Sequence, residues 1–97
     1  MSERRVVVTG LGALTCFGQG MDLNWSKLLD GEIGYDKISK FDTEGFSSKI
    51  AGEVRDFDAT QYISPKVIKR TDPFIQYAIA ASQMAVDDSG LDLEKIN

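Results

Sequence analysis

Short apolar segments, separated by glycine-rich and polar stretches, follow one another along the whole chain. The first is Val6–Val8, a β-branched run that two glycines follow, and this pattern predicts a short buried strand. Further along, Lys49–Arg55 alternates between apolar and charged positions. The alternation predicts a second strand with one wet face, in which Ile50 and Val54 lie on one side and Glu53 on the other.

A first helix is predicted from Leu23 to about Asp30, with Asp22 as its N-cap and Gly31 as its stop. Its large apolar residues lie three and four positions apart and form one stripe: Trp25, Leu28 and Leu29. The following segment, residues 32–48, mixes glycine, serine, threonine and aromatic residues. This composition predicts an ordered but irregular connection.

Two further helices are signalled by proline at the first helical position. Ser64-Pro65 predicts a short helix that ends near Arg70, and Asp72-Pro73 predicts a longer one from Phe74 to about Ser89. The longer helix is apolar nearly all round, which is typical of a helix buried inside a larger body. The chain has too few other elements to surround it, so residues 1–97 are expected to form an incomplete part of a domain.

Composition narrows the class of protein. The 97 residues carry a net charge of −4, which disfavours nucleic acid and anionic membrane surfaces as partners. No apolar run approaches the roughly 20 residues that span a bilayer, and the N-terminus lacks the apolar core of a signal peptide. The single cysteine excludes an internal disulfide and favours the cytoplasm.

The chain has no histidine, so it cannot by itself form a Cys–His dyad, a Ser–His–Asp triad or a histidine metal site. Cys16 has no obvious base or cation beside it in the sequence and is interpreted as a small packed thiol. Asp87 and Asp88 are adjacent on a helix and therefore diverge. Since Asp22, Asp30 and Glu32 also lack the spacing of a metal loop, we predict no catalytic residue, metal or cofactor in this chain.

Gly10 and Gly12 raise the alternative of a dinucleotide-binding domain, and hence of an oxidoreductase. That fingerprint needs a third glycine and a helix that begins directly after it, but Thr15 takes the third position and further glycines follow. No Gly-Lys-Ser/Thr follows to make a phosphate loop either. The favoured interpretation is that the glycines let the chain pass close to a neighbouring backbone.

Three cations lie close together in the short helix predicted after Ser64. Lys66, Lys69 and Arg70 are spaced at i, i+3 and i+4, so their side chains share one face, which we call the basic surface. From the residues alone, a solvated charged face is the simpler interpretation. Docking of an acidic partner is the alternative.

Taken together, several short stretches resemble the N-terminal end of β-ketoacyl-acyl-carrier-protein synthases, in particular the elongating type II enzymes of bacterial fatty-acid synthesis. Each stretch is weak alone, but their order and spacing agree with the family over nearly the whole chain. The stretches are Arg4–Gly12, Phe41-Asp42, Ala51-Gly52 followed by Asp56-Phe57, Phe74–Tyr77, and Asp88–Leu91. Cys16 departs from the pattern, because the family usually has proline there.

The resemblance implies a thiolase-like α/β/α/β/α sandwich, of which this chain is the N-terminal portion. It implies an acyltransferase that condenses an acyl-enzyme with malonyl-carrier protein, loses CO2 and works as a homodimer without a cofactor. The nucleophilic cysteine and two histidines would lie beyond Asn97, so the chain alone is expected to be inactive. A decarboxylating or chain-length-determining relative, or a non-catalytic carrier-binding module, remains an alternative.

The resemblance also changes the interpretation of the basic surface. In similar synthases, basic residues at these positions contact the acyl-carrier protein, which is strongly acidic. Lys66, Lys69 and Arg70 are therefore expected to bind the carrier protein, and complementary charge would steer the encounter.

Overall fold

The structure, a computed structural model, describes residues 3–96 and combines three helices with two small antiparallel sheets. The strands are β1 (Leu14–Thr15), β2 (Gly18–Gln19), β3 (Asp36–Lys37) and β4 (Ile50–Ala51), and the helices are α1 (Met21–Leu29), α2 (Pro65–Ile68) and α3 (Pro73–Ser89). Two 3₁₀ turns, Ala59–Gln61 and Leu93–Lys95, complete the elements. β1 pairs with β2, and β3 pairs with β4.

The proline signals for α2 and α3 are confirmed. Each helix begins at its proline, and Ser64 and Asp72 precede the two helices in the extended conformation. Gly90 ends α3 with a φ of 68°, in the left-handed region that glycine adopts at least cost. The segment 32–48 is irregular as predicted, apart from β3.

The predicted start of α1 is wrong by two residues. α1 begins at Met21, so Asp22 lies in its first turn and Gly20 is the N-cap. Gly20 has a φ of 96°, a conformation that residues with a side chain rarely adopt. Asp22 is still favourably placed, because a carboxylate in the first turn interacts with the positive end of the helix dipole.

The prediction of a buried strand at Val6–Val8 is wrong for the described residues. The three side chains are exposed, and Val6 keeps 94% of its accessible surface. A strand needs a neighbouring strand for its backbone hydrogen bonds. Within residues 3–96 the four short strands pair only with one another, so this run has none.

The second predicted strand, Lys49–Arg55, is reduced to the two residues of β4, and its facing is reversed. Glu53 is only 8% exposed, whereas Ile50 is 55% exposed. The reason is a set of donors around the Glu53 carboxylate. It accepts hydrogen bonds from the backbone and hydroxyl of Ser39 (both 3.0 Å), the backbone N–H of Lys40 (3.1 Å) and the guanidinium of Arg55 (2.9 Å).

These bonds give Glu53 a pH dependence that can be measured. The backbone N–H of Ser39 contributes most to lowering the pKa of Glu53 below its ordinary value, opposed in part by desolvation. Folding therefore favours the charged form, so the stabilisation is fully present above the ordinary carboxyl range of about pH 4 and is lost as the pH falls below that range, through the lowered pKa of folded Glu53.

We expect Glu53→Gln to lower the free energy of unfolding of the gene product at pH 7, because an amide cannot accept all four bonds. The deficit should shrink as the pH falls, since the native carboxylate is then protonated. Denaturant unfolding at a series of pH values measures this. Glu44→Gln changes an exposed side chain and is the matched control. A deficit that stays constant with pH would contradict the account.

The glycine interpretation is confirmed, because Gly10 and Gly12 bring the chain against the backbone of α3. A Cβ on Gly12 would collide with the Ala81 carbonyl oxygen and come within 2.8 Å of the Ala85 nitrogen. Leu11, between the glycines, donates its N–H to Asp88 at 2.9 Å. The glycines therefore serve close packing rather than opening directly into a helix.

A buried amide joins the β1–β2 hairpin to α1. Asn24 donates to the carbonyls of Gly18 (3.2 Å) and Gly20 (2.7 Å), and it is also hydrogen-bonded to the Thr15 hydroxyl. Thr15 accepts the N–H of Phe17 as well, at 3.1 Å. Thr15, which stands where a dinucleotide-binding fingerprint needs its third glycine, thus closes a local turn.

The described residues enclose very little apolar core. Ile63 and Ala80 are the only apolar side chains among residues 3–96 that are buried, and Trp25 on α1 is 61% exposed. The Cα radius of gyration is 17.3 Å, against about 13 Å for a compact domain of this length.

None of the helices within residues 3–96 has the length and apolar character required to cross a membrane.

Candidate functional site

The basic surface lies on α2 and the turn that follows it. Lys66 is inside the helix, and Lys69 caps it with helical backbone angles, φ −65° and ψ −20°. A tighter turn then leads to Arg70, whose N–H donates to the Val67 carbonyl at 3.0 Å. All three basic residues are exposed.

Acidic partners within the described residues do not neutralise this charge. The ion pairs found in residues 3–96 join Arg55 to Glu53 at 2.9 Å and Lys95 to Asp92 at 3.9 Å. Neither pair involves the basic surface. Its three cations thus present a local positive potential on a chain with a net charge of −4.

An aromatic cluster fixes the chain just before α2. Tyr62 stacks on Phe57 with ring centroids 6.2 Å apart, and Phe57 meets Tyr77 of α3 edge-on at 5.5 Å. The Tyr62 hydroxyl also bonds to the Gln19 side chain at 3.0 Å. Buried Ile63 follows directly, so the N-terminal side of α2 is attached to the rest of the structure.

The other candidate residues for chemistry, Cys16, Asp87 and Asp88, make structural contacts. Cys16 lies against the backbone of Gly34 and Gly52, where a Cβ on Gly52 would come within 3.2 Å of the sulfur. Asp87 accepts a bond from Gln83 at 2.8 Å, whereas Asp88 accepts one from Leu11 at 2.9 Å. The two adjacent carboxylates therefore serve different partners.

Asp22, Asp30 and Glu32 are exposed on and after α1. Across residues 3–96, no three side chains of histidine, cysteine, aspartate or glutamate come together as metal ligands would.

Sequence reasoning missed the burial of Glu53 and the bonds that Gln76 makes to the end of α2. Both depend on partners from other segments, and neither has a local sequence signal. Gln76 lies in the stretch Phe74–Tyr77, which resembles the family but has no local sign of a contact with α2. Helical spacing alone predicted the basic surface; the structure shows its three residues exposed, and its role in binding stays a prediction.

The fold and the site define a segment of a mixed α/β protein that carries an exposed basic surface. The chain belongs to the β-ketoacyl synthase family, because the family model described as "Beta-ketoacyl synthase, N-terminal domain" matches residues 3–97. The family expected from the sequence is thereby confirmed.

Individual relatives agree with this assignment. The chain is 48% identical over 97 residues to "3-oxoacyl-[acyl-carrier-protein] synthase 2" of Vibrio harveyi, 47% identical to the protein of that name from Vibrio cholerae serotype O1, and 41% identical to that from Synechocystis. Each alignment covers 100% of this chain and 23% of the relative. The chain thus spans about a quarter of the length of these curated relatives.

A solved structure shows the fold. "The ishigamide ketosynthase/chain length factor" superimposes with a TM-score of 0.87 at 38% identity, covering 99% of this chain and 24% of that one. The chain has the architecture of the N-terminal portion of the thiolase-like α/β sandwich, as the resemblance implied.

Proposed function

We propose that these residues are part of an enzyme that elongates fatty acyl chains by decarboxylative Claisen condensation, a 3-oxoacyl-[acyl-carrier-protein] synthase. The match over the whole chain to proteins with that name carries the proposal. In the proposed reaction, an acyl group is first held as a thioester on a cysteine. Malonyl-carrier protein loses CO2, and the resulting carbanion attacks the acyl carbonyl, forming a C–C bond and releasing the cysteine thiolate.

In this proposal, residues 1–97 form the N-terminal part of the synthase's N-terminal domain. The cysteine nucleophile and the two histidines that assist decarboxylation would lie in the remainder of the protein, since the chain contains no histidine. The complete enzyme would be a cytoplasmic homodimer, as the family resemblance implies. The contribution of this segment would be recognition rather than bond making.

We further propose that the basic surface docks the acyl-carrier protein. The three cations are exposed and have no ion-pair partner within residues 3–96, so they are available to an acidic protein. Exposed ion pairs are worth about 0–1 kcal/mol each. Their main effect is therefore on the association rate and on its dependence on salt.

The experiment that tests the function is an elongation assay of the full-length gene product with acyl- and malonyl-carrier protein. We expect a 3-oxoacyl-carrier protein two carbons longer than the acyl donor, with one CO2 released per bond formed. Release of CO2 without a longer acyl chain would identify a decarboxylating relative and overturn the proposal.

A non-catalytic carrier-binding protein is the second candidate. The observation that favours it is the basic surface itself, because its three exposed cations would serve carrier binding with or without catalysis. Binding of the carrier protein by the full-length gene product with neither CO2 release nor elongation would select this candidate.

A further inference from the structure

The C-terminal end of α2 is held by a side chain of α3. The Nε2 group of Gln76 donates to the carbonyl oxygens of Ile68 at 3.3 Å and Thr71 at 3.0 Å, and to the Thr71 hydroxyl at 3.2 Å. Carbonyl oxygens accept but never donate, so the NH2 group of the amide must face them. Gln76 is partly buried, which shields these bonds from competing water.

Thr71 continues the same connection into α2. Its hydroxyl donates to the Val67 carbonyl at 2.8 Å, while it accepts from Gln76. The last carbonyls of a helix have no partner within the helix and need one from elsewhere. At the end of α2 the backbone supplies part of this need, since the Val67 carbonyl accepts the Arg70 N–H at 3.0 Å and the Ile68 carbonyl accepts the Thr71 N–H at 3.4 Å. Thr71 and Gln76 each add a side-chain donor, to Val67 and Ile68 respectively.

The helix needs this support because it is only four residues long. Isolated helices shorter than about 12 residues are marginal in water. The supported end is also the functional one, since Lys69 and Arg70 lie between Ile68 and Thr71. The aromatic cluster anchors the opposite end, so Gln76 supplies the second attachment point.

We propose that Gln76 is a positioning residue for the carrier protein, which holds the turn 68–71 so that Lys69 and Arg70 stay on one face with Lys66. The inference rests on the proposed docking role of the basic surface. Gln76 itself does not touch the carrier protein. Without these bonds the turn 68–71 could adopt several conformations, and the carrier protein would bind only some of them. Gln76 acts by favouring the conformation in which the cations share one face.

The test compares Gln76→Met with Gln83→Met in the full-length gene product. Methionine has nearly the shape of glutamine and cannot donate a hydrogen bond. Gln83 lies two turns further along α3 and is exposed, and its side chain bonds to Asp87 rather than to α2. Thr71→Val is a second, milder variant that removes the hydroxyl but keeps the side-chain shape.

We expect Gln76→Met to raise KM for acyl-carrier protein about fivefold, corresponding to roughly 1 kcal/mol for a lost hydrogen bond. Thr71→Val should raise it about twofold, and Gln83→Met should leave it unchanged. For a small thioester that lacks the carrier protein, kcat and KM should stay constant in all three. Amide hydrogen exchange at Lys69 and Arg70 should become faster in Gln76→Met.

Two results would overturn the inference. The first is a rise in KM of similar size for the carrier protein and the small thioester, which would show a general structural defect. The second is equal KM values for Gln76→Met and Gln83→Met. Lys66→Glu, measured in parallel, separates the two proposals: if it raises KM while Gln76→Met does not, only the positioning role is wrong, and if it has no effect, the docking proposal is wrong.

Discussion

Replacing Gly12 by alanine should lower the free energy of unfolding of the full-length gene product by about 3 kcal/mol, the upper end of the usual cost of overpacking. The added methyl group would overlap the Ala81 carbonyl oxygen and approach the Ala85 nitrogen to 2.8 Å and the Met84 Cβ to 2.9 Å. Helix backbone cannot move aside as a flexible side chain can. The chain would have to separate from α3, which also strains the bond from Leu11 to Asp88.

Gly52→Ala is the matched control for this prediction. A Cβ there would meet only Cys16, at 3.2 Å from its sulfur and 3.4 Å from its Cβ. We expect a change below about 1 kcal/mol, within the range of tolerated substitutions. Denaturant unfolding of both variants measures the difference. Equal losses for Gly12→Ala and Gly52→Ala would show that contact with α3 does not restrict this position.

Reversing two charges of the basic surface should raise KM for acyl-carrier protein about tenfold. In the variant Lys66→Glu/Lys69→Glu, two attractions become two repulsions, and each exposed interaction is worth about 0–1 kcal/mol. A total of about 1.4 kcal/mol corresponds to a factor of ten. Since screening weakens exposed charge interactions, salt should raise KM in the unsubstituted protein more steeply than in the variant.

The control is Lys37→Glu/Lys49→Glu, which makes the same change in net charge on the β3–β4 side of the chain. Both lysines are exposed, and neither forms an ion pair within residues 3–96. Their reversal should leave KM for the carrier protein nearly unchanged, and neither double variant should alter turnover of a small thioester. An equal rise in KM for both variants would mean that net charge, rather than the basic surface, controls docking.

Features set by local physics could be predicted from the sequence. Ser64-Pro65 and Asp72-Pro73 marked the starts of α2 and α3, because proline at the first helical position loses no hydrogen bond. The spacing of Lys66, Lys69 and Arg70 placed them on one face for the same local reason. The packing role of Gly10 and Gly12 could be predicted because the sequence lacks the third glycine and the helix start that a dinucleotide-binding site requires.

Features that depend on distant segments could not be predicted. The alternating pattern predicts that Glu53 lies on the solvent-exposed face of a strand. In the structure its carboxylate is buried, because the backbone N–H groups of Ser39 and Lys40 donate hydrogen bonds to it. Val6–Val8 has the composition of a strand, but strand pairing requires a neighbour that residues 3–96 do not supply. In the sequence Gln76 is an ordinary helical residue. Only the structure shows that its side chain contacts the end of α2.

We propose that these residues are one part of a larger synthase, whose remainder carries the catalytic cysteine and histidines. The most direct test is the intact mass of the protein made from the native gene. We predict about four times 10.7 kDa, because the chain covers 23% of the length of its relatives. A mass near 10.7 kDa would contradict the claim, since a chain without histidine would then have to function by docking alone.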